Sequence, residues 1–292
     1  MTITINTNLG VLYAQNAMNK ATNSLNKSML RLSTGYRINE AKDDPAGSFI
    51  AHQLNNQING TVTAYNNVQV GYSMMQIATG DLASITEQLD RVKELTIQYA
   101  NGTLSENEQK AIKAEVAQRF EEINRIAQDS SFNKLKLLDG SKADGVRIQI
   151  GAGSDPSTNA LIIKDVFKDA SVEGLEIIGG ASAYADIDAA YANATTAAEF
   201  IQVVEDATTT VTERLSTAGV YNSRLESVLN SLVSKNETLT NAYSSVADAD
   251  IAAETSNYIK QQMLQQTAAT MLGQANQMNA SIALQLINSS TF

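Results

Sequence analysis

The chain of 292 residues carries 31 acidic and 21 basic side chains, a formal net charge of −10. That balance argues against general nucleic-acid binding, which needs a basic surface, and the absence of cysteine excludes disulfides, thiolate metal sites and thiol nucleophiles. No stretch of about 18 apolar residues is present to span a membrane as a helix, and the polar start MTITINTNLGVLYAQNAMNK lacks the order of a cleavable secretory signal.

Aromatic residues make up 5% of the chain and tryptophan is absent, so a core must be built from Leu, Ile, Val, Met and Ala. Two prolines, Pro45 and Pro156, leave long windows without a helix breaker, which favours long helices over many-turned sheets. Residues 1–8 alternate Thr, Ile and Asn and are read as mobile. From Leu9 to about Leu32 a helical stripe runs through Met18, Ala21, Leu25, Met29 and Leu32, and Gly35 fits a C-terminal cap. The turn-rich STGYRINEAKDDPAG follows.

Asp44 is placed to cap a second helix that has Pro45 at its first position. Ile50, Leu54, Ile58 and Val62 give it an apolar face. Met75, Ala78, Leu82, Ile85, Leu89, Val92, Thr96 and Tyr99 then alternate as heptad a and d positions. A helix from 45 to about 100 would be roughly 80 Å long, more than a single-core domain needs. Asn101-Gly102 ends it. Ser105 and Glu108 resemble a capping box for a third helix, whose stripe is Ile112, Val116, Arg119, Ile123 and Ile126 with Phe120 and Ala127 beside it.

Between about 131 and 180 the period changes. KLKLLDGSKADGVRIQIGAG and NALIIKD predict short alternating strands and a hairpin. Residues 181–197 are Ala-rich and give no clear pattern. The helical pattern returns near Ala198, with a seam of Leu225, Val228, Leu232, Leu239, Ala242 and Val246 and with Lys235 at one seam position. ADADIAAETS interrupts or kinks it. From Ser256 to Phe292 there is one charge, on Lys260, whereas a free surface helix keeps a charged face toward water. Leu264, Ala268, Met271, Ala275, Met278 and Ile282 form an apolar seam in this last helix, which reads as a segment meant to be surrounded by other protein. The order of elements nearly mirrors itself. An antiparallel return of the C-terminal half along the N-terminal half would bury the seams together.

No constellation for catalysis emerges. The single His52 has no partner in a recognisable motif. The pairs Asp43-Asp44 and Asp248-Asp250 stand beside helix starts, where capping is the plainer reading than acid–base or metal chemistry. The methionines sit at helical spacing and read as adaptable packing. Seams that exceed what one copy can cover point instead to assembly, and a repeated head-to-tail contact between identical copies generates a helical filament.

LSTGYRINEAKDDPAG, QLDRVKELTIQYANGT, AEVAQRFEEINRIA and FNKLKLLDG resemble the N-terminal region of bacterial flagellins, and DADIAAETSNYIKQQMLQQTAATMLGQAN resembles their C-terminal region. The resemblance covers about 1–150 and 200–288. It implies a mainly α fold, a long antiparallel helical coiled-coil bundle with a small β-hairpin region in the middle, in a short, core-only form without large outer domains. It implies filament-core segments at 1–43 and 251–292 and shell parts at 44–180 and 181–250. Identical subunits would pack through Leu25, Leu32, Leu264, Met271, Met278 and Ile282. Other partners implied are a flagellar secretion chaperone on the C-terminal segment and hook-associated junction and cap proteins. Secretion would run through the flagellar type III channel without a cleavable signal peptide, to an extracellular filament. Toll-like receptor 5 recognises many flagellins through the shell, at positions that match Arg91, Leu95 and Glu115. The family's common QRVREL reads DRVKEL here, and Asp90 and Lys93 alter the charge beside Arg91. No enzyme activity, cofactor, metal, nucleic acid or membrane insertion is implied. A hook–filament junction protein is the rival from the same assembly. An enzyme grafted into the middle and a soluble coiled-coil adaptor are rivals from other classes.

Overall fold

Helices dominate the residues that the computed structural model describes, 8–178 and 187–289, with the side chains of Ala194, 279–280 and 282–289 outside that description. Residues 1–7, expected to be mobile, and 181–186 of the patternless stretch also lie outside it.

The first helix, α1 (Leu9–Thr34), begins where the Asn8 side chain accepts the Val11 N–H at 3.0 Å. It ends at Gly35, whose φ of 77° is left-handed; only glycine enters that region without a Cβ penalty. In α2 (Pro45–Tyr99), the Asp44 carboxylate accepts the Gly47 N–H at 2.9 Å, and proline at the first position has no N–H to leave unpaired. At the start of α3 (Glu106–Asp129), the Glu108 carboxylate accepts from the Ser105 N–H at 2.8 Å and its hydroxyl at 2.7 Å. The buried stripe of α3 is Ile112, Val116, Phe120, Ile123 and Ala127. Arg119 and Ile126, placed in that stripe by the sequence reading, stand at its edge. A full turn carries the inward line from Val116 to Phe120, and Arg119 reaches out to Gln88 at 3.1 Å and Glu115 at 3.4 Å.

The β region is two separate antiparallel pairs. Strands β1 (Ser131–Phe132) and β2 (Leu135–Lys136) are joined by Asn133 and Lys134, whose φ values of 48° and 66° fit a two-residue type I′ turn. Strands β3 (Val146–Gln149) and β4 (Ala160–Ile163) pair from Val146–Ile163 to Gln149–Ala160, with the one-turn helix α4 (Pro156–Asn159) between them. Ile148, Leu161 and Ile163 face inward; Arg147 and Ile162 face out. The short α5 (Ile187–Ala190) precedes α6 (Ala194–Ala247) and α7 (Ile251–Ser289). Asp250 separates these last two helices by accepting the Ala252 and Ala253 N–H groups at 2.9 and 3.1 Å.

Contacts divide the chain into two units, Gln57–Glu237 and the terminal Met1–Asn56 with Thr238–Phe292. The division falls inside α2 and α6. In the unit Gln57–Glu237, a continuous core joins Leu82, Ile85, Leu89 and Leu95 of α2 to the α3 stripe, to Leu137, Leu138 and Ile163, and to Phe200, Val204 and Val211 of α6. Gly71 of α2 admits the β3–β4 pair, because a Cβ there would collide with Ile148. Tyr191 ties the end of this core together. Its hydroxyl lies 2.6 Å from Thr96 Oγ1, its carbonyl accepts from the Tyr99 hydroxyl at 2.6 Å, and its ring meets Phe200 edge-on at 5.6 Å. Burial pushes the Tyr191 phenol up to about 12.

The terminal unit is built differently. Its helices α1 and α7 pair antiparallel, with Thr22 opposite Gln265 and Arg31 opposite Glu254. Among the described residues, its buried apolar side chains are three alanines, Ala21, Ala247 and Ala268; every other buried apolar residue belongs to Gln57–Glu237.

Candidate functional site

The α1–α7 pair carries the feature that composition made conspicuous. The line of α1 turned inward is Val11, Ala14, Met18, Ala21, Leu25, Ser28 and Leu32, and that of α7 is Glu254, Tyr258, Gln261, Gln265, Ala268, Leu272 and Ala275. Both lines step by three and four residues, as two paired helices require. Met29, expected in the α1 stripe, is exposed, and Ser28 takes its place.

Polar groups fix this pairing. Gln265 Nε2 donates to Thr22 Oγ1 at 3.0 Å, and Arg31 Nη1 lies 3.5 Å from Glu254 Oε2. At the base, the segments after α1 and before α7 form a backbone clasp. The Arg37 N–H donates to the Ala247 carbonyl at 2.7 Å and the Ala249 N–H to the Gly35 carbonyl at 2.8 Å, around a Tyr36–Asp248 bridge. Asp43 is held by Lys27 at 2.8 Å, and that hydrogen bond keeps its carboxyl below the usual range. Asp43, Asp44 and Asp250 are thus occupied in structural ties.

Many large apolar side chains of this unit stand outside. Tyr13 and Phe49 are each 70% exposed, Met271 and Met278 59%, and Leu264 47%. Leu9, Leu12, Met29, Leu30, Ile251, Ile259 and Met263 are exposed as well. The C-terminal seam of the sequence reading therefore splits. Ala268 and Ala275 face α1, while Leu264, Met271 and Met278 form a separate line that no described residue covers. The reason is the rotation of α7: its inward line passes through Gln265 and Leu272, one position beyond Leu264 and Met271, which turn to the flank. Ile282 lies among the helix residues whose side chains are not described. Leu25 and Leu32 are half-buried on the inner line of α1.

Unit Gln57–Glu237 contains the charged group around Arg91. Arg91 donates to Glu94 at 2.9 Å and to Glu115 at 3.1 Å, and Lys93 pairs with Glu205 at 2.8 Å. Arg91 foremost, with Arg119, holds the Glu115 carboxyl below its usual value. Leu95 is not on this surface. It is 2% exposed, inside the core, so the expectation that it meets a receptor with Arg91 and Glu115 is corrected: α2 packs against several neighbours here and buries a wide arc.

His52 is exposed and lines a cavity of about 240 Å³ with Ile38, Asn39, Ser48 and Tyr243. Among the described residues, no group of His, Asp or Glu is placed to hold a metal ion, and no helix is long and apolar enough to cross a membrane. Sequence reasoning missed Phe49, and Ile50 and Val62, read as part of an apolar face of α2, are exposed. A signal for this exposure was available: from Pro45 to Gly80 there is no Asp, Glu, Lys or Arg.

The model of the bacterial flagellin N-terminal helical region matches residues 5–143, and that of the C-terminal helical region matches 201–287. A flagellin of Halalkalibacterium halodurans is 36% identical over 283 residues, 97% of this chain and 99% of that one. The chain belongs to the bacterial flagellin family. The flagellar filament 33 kDa core protein of Treponema phagedenis is similar too, 32% identical over 287 residues, 95% of this chain and 98% of that one. The fold also resembles a putative flagellar hook-associated protein of Vibrio parahaemolyticus, with a TM-score of 0.59 over 70% of this chain and 100% of that one, at 13% identity. That likeness concerns the fold alone. Matching flagellins along nearly its whole length, the chain is a short, core-only flagellin, a structural subunit of the extracellular flagellar filament.

Proposed function

We propose that identical subunits cover the outward rows of α1 and α7 as the filament grows, and that Leu264, Met271, Met278 and Ile282 are packing residues of that contact, with Leu25 and Leu32 supporting it from the inner line. The observation that carries this reading is the exposure of large apolar side chains in the terminal unit: among the described residues its fully buried apolar side chains are alanines, while Tyr13, Phe49, Leu264, Met271 and Met278 stand outside. Each large apolar side chain removed from water contributes roughly 1.5–3 kcal/mol, so covering several of them can drive association. The near-absence of charge from Ser256 onward removes the main cost of enclosing the helix.

The same reading divides the chain into filament-core segments at 1–43 and 251–292 and shell parts at 44–180 and 181–250. Before assembly, a secretion chaperone would shield the C-terminal segment. Export would use the flagellar channel without a cleavable signal, and junction and cap proteins would bound the filament. The protein acts by packing and has no reaction to catalyse. Toll-like receptor 5 would meet the shell at Arg91 and Glu115, whose ion pair presents an exposed edge.

Leu264→Asp and Met271→Asp test the packing claim. Each should leave the melting of Gln57–Glu237 unchanged and abolish filament growth from purified subunits. Normal filament yield from either variant would overturn the claim.

A further inference from the structure

The dipeptide Asn-Gly occurs at Asn59-Gly60 and at Asn101-Gly102, and the fold of Gln57–Glu237 treats the two differently. Both asparagines are exposed. Asn59-Gly60 lies inside α2, where the Gly60 N–H belongs to the helix ladder and the Asn59 carbonyl also accepts the Thr63 hydroxyl at 2.9 Å. Asn101-Gly102 lies in the exposed turn that follows α2, ahead of the Ser105 cap of α3. The Asn101 N–H donates to the Gln98 carbonyl at 3.2 Å. Among the described residues, nothing bonds the Asn101 side chain or the Gly102 N–H.

No feature of the turn requires Gly102 to be glycine. A Cβ built there meets nothing within 4 Å, and the backbone lies outside the left-handed region. Gly140 and Gly145, by contrast, have φ values of 78° and 97°. They follow Asp139 and Asp144, whose carboxyls could close the same five-membered ring on the next backbone nitrogen. Both places are tied down. Asp139 Oδ1 accepts the Ser141 N–H at 2.9 Å, and the Gly145 N–H donates to the Lys142 carbonyl at 2.8 Å. Bonding to Ser141 also holds the Asp139 carboxyl below its ordinary value, and an ionised carboxylate is a poor electrophile. The amide of Asn101 is neutral, exposed and unbonded, with an unshielded nitrogen next to it.

We infer that Asn101 is a site of spontaneous covalent modification, deamidation through a succinimide, in the folded chain. The Gly102 nitrogen gives up its proton to hydroxide or a buffer base and attacks Cγ of Asn101. A carbon–nitrogen bond forms, the bond from Cγ to the side-chain nitrogen breaks, and ammonia leaves with a proton from water. A water molecule then opens the ring at either carbonyl, leaving aspartate or isoaspartate. The sum consumes one water, releases one ammonia and adds one negative charge. Attack needs a backbone rotation at the asparagine that a helix, with ψ held near −42°, does not permit. The turn can make that rotation alone, whereas Asn59 must wait for the interior of α2 to open. Isoaspartate also lengthens the main chain between Ala100 and Leu104, which pack against the core. None of this depends on the filament reading.

The test holds full-length purified subunits in mildly alkaline buffer, folded or unfolded in urea. Peptide mapping by mass spectrometry follows each asparagine, and an isoaspartate methyltransferase with a labelled methyl donor reports the isomer. In the folded chain Asn101 should convert roughly tenfold or more faster than Asn59, a barrier difference of about 1.4 kcal/mol or more. In urea the two rates should converge. Gly102→Val should keep the wild-type melting temperature and slow conversion at Asn101 by a similar factor. Equal rates at Asn59 and Asn101 in the folded chain would overturn the inference. So would an unchanged Asn101 in folded subunits whose urea-unfolded counterparts convert.

Discussion

Arg31 Nη1 lies 3.5 Å from Oε2 of Glu254, the one charged side chain buried among the described residues. The pair joins the last turn of α1 to the first turn of α7 and sets which residues of the two helices meet. Glu254→Arg should place two guanidinium groups together and cost about 1–3 kcal/mol, at the low side of a buried pair because Arg31 keeps some contact with water. Filament yield should fall. Arg31→Glu combined with Glu254→Arg should restore most of it, whereas a second loss added to the first would refute the pairing.

Phe120 is enclosed in the core of Gln57–Glu237, edge-on to Phe200 at 6.4 Å. Phe120→Ala should destabilise the unit by about 3–5 kcal/mol, a fall of roughly 10 °C in melting temperature for a unit of this size. Calorimetry of the soluble subunit measures it directly.

Tyr191 predicts the alkaline limit of the same unit. Its phenol is pushed up to about 12 from an ordinary 10.0, so the unfolded chain releases this proton first. The stability that Tyr191 contributes is complete below pH about 10 and should fall by roughly 1.4 kcal/mol per pH unit until the folded group also ionises. Denaturant titrations of the wild type and Tyr191→Phe across this range should diverge in slope. Parallel slopes would show that the phenol titrates freely.

Acid acts at a different place. The Asp43 carboxyl is held low chiefly by its hydrogen bond from Lys27, so its contribution is present above the ordinary carboxylate range and is lost as pH falls through the lowered value. Amide exchange in the last turns of α1, corrected for intrinsic rates, should rise through that acid range. Asp43→Asn should remove the pH dependence.

The helices were legible because their ends are chemically marked. Asp44 with Pro45, Ser105 with Glu108, and Gly35 act locally, within one turn, and need no tertiary information. Lateral direction was harder to read. Val116 could be followed by Arg119 or Phe120, and only the position of α6 decides that Phe120 points inward. The a and d pattern placed Leu264, Ala268, Met271 and Ala275 on one seam, but the rotation of α7 against α1 puts Gln265 and Leu272 on the inward line in place of Leu264 and Met271. Leu95 was placed with Arg91 and Glu115 by the resemblance, which matches positions and does not carry the wide arc along which α2 is buried. The charge-free stretch from Pro45 to Gly80 was overlooked because an absence has no period.

With alanines as the only fully buried apolar side chains among its described residues, the terminal unit has little cohesive energy of its own, and its melting should be tied to that of the polymer. Heating or diluting a filament should release subunits and loosen α1 and α7 in a single concentration-dependent transition, ahead of the melting of Gln57–Glu237. A strand of linked subunits would then behave thermally as one object in its terminal units and as many independent ones in Gln57–Glu237.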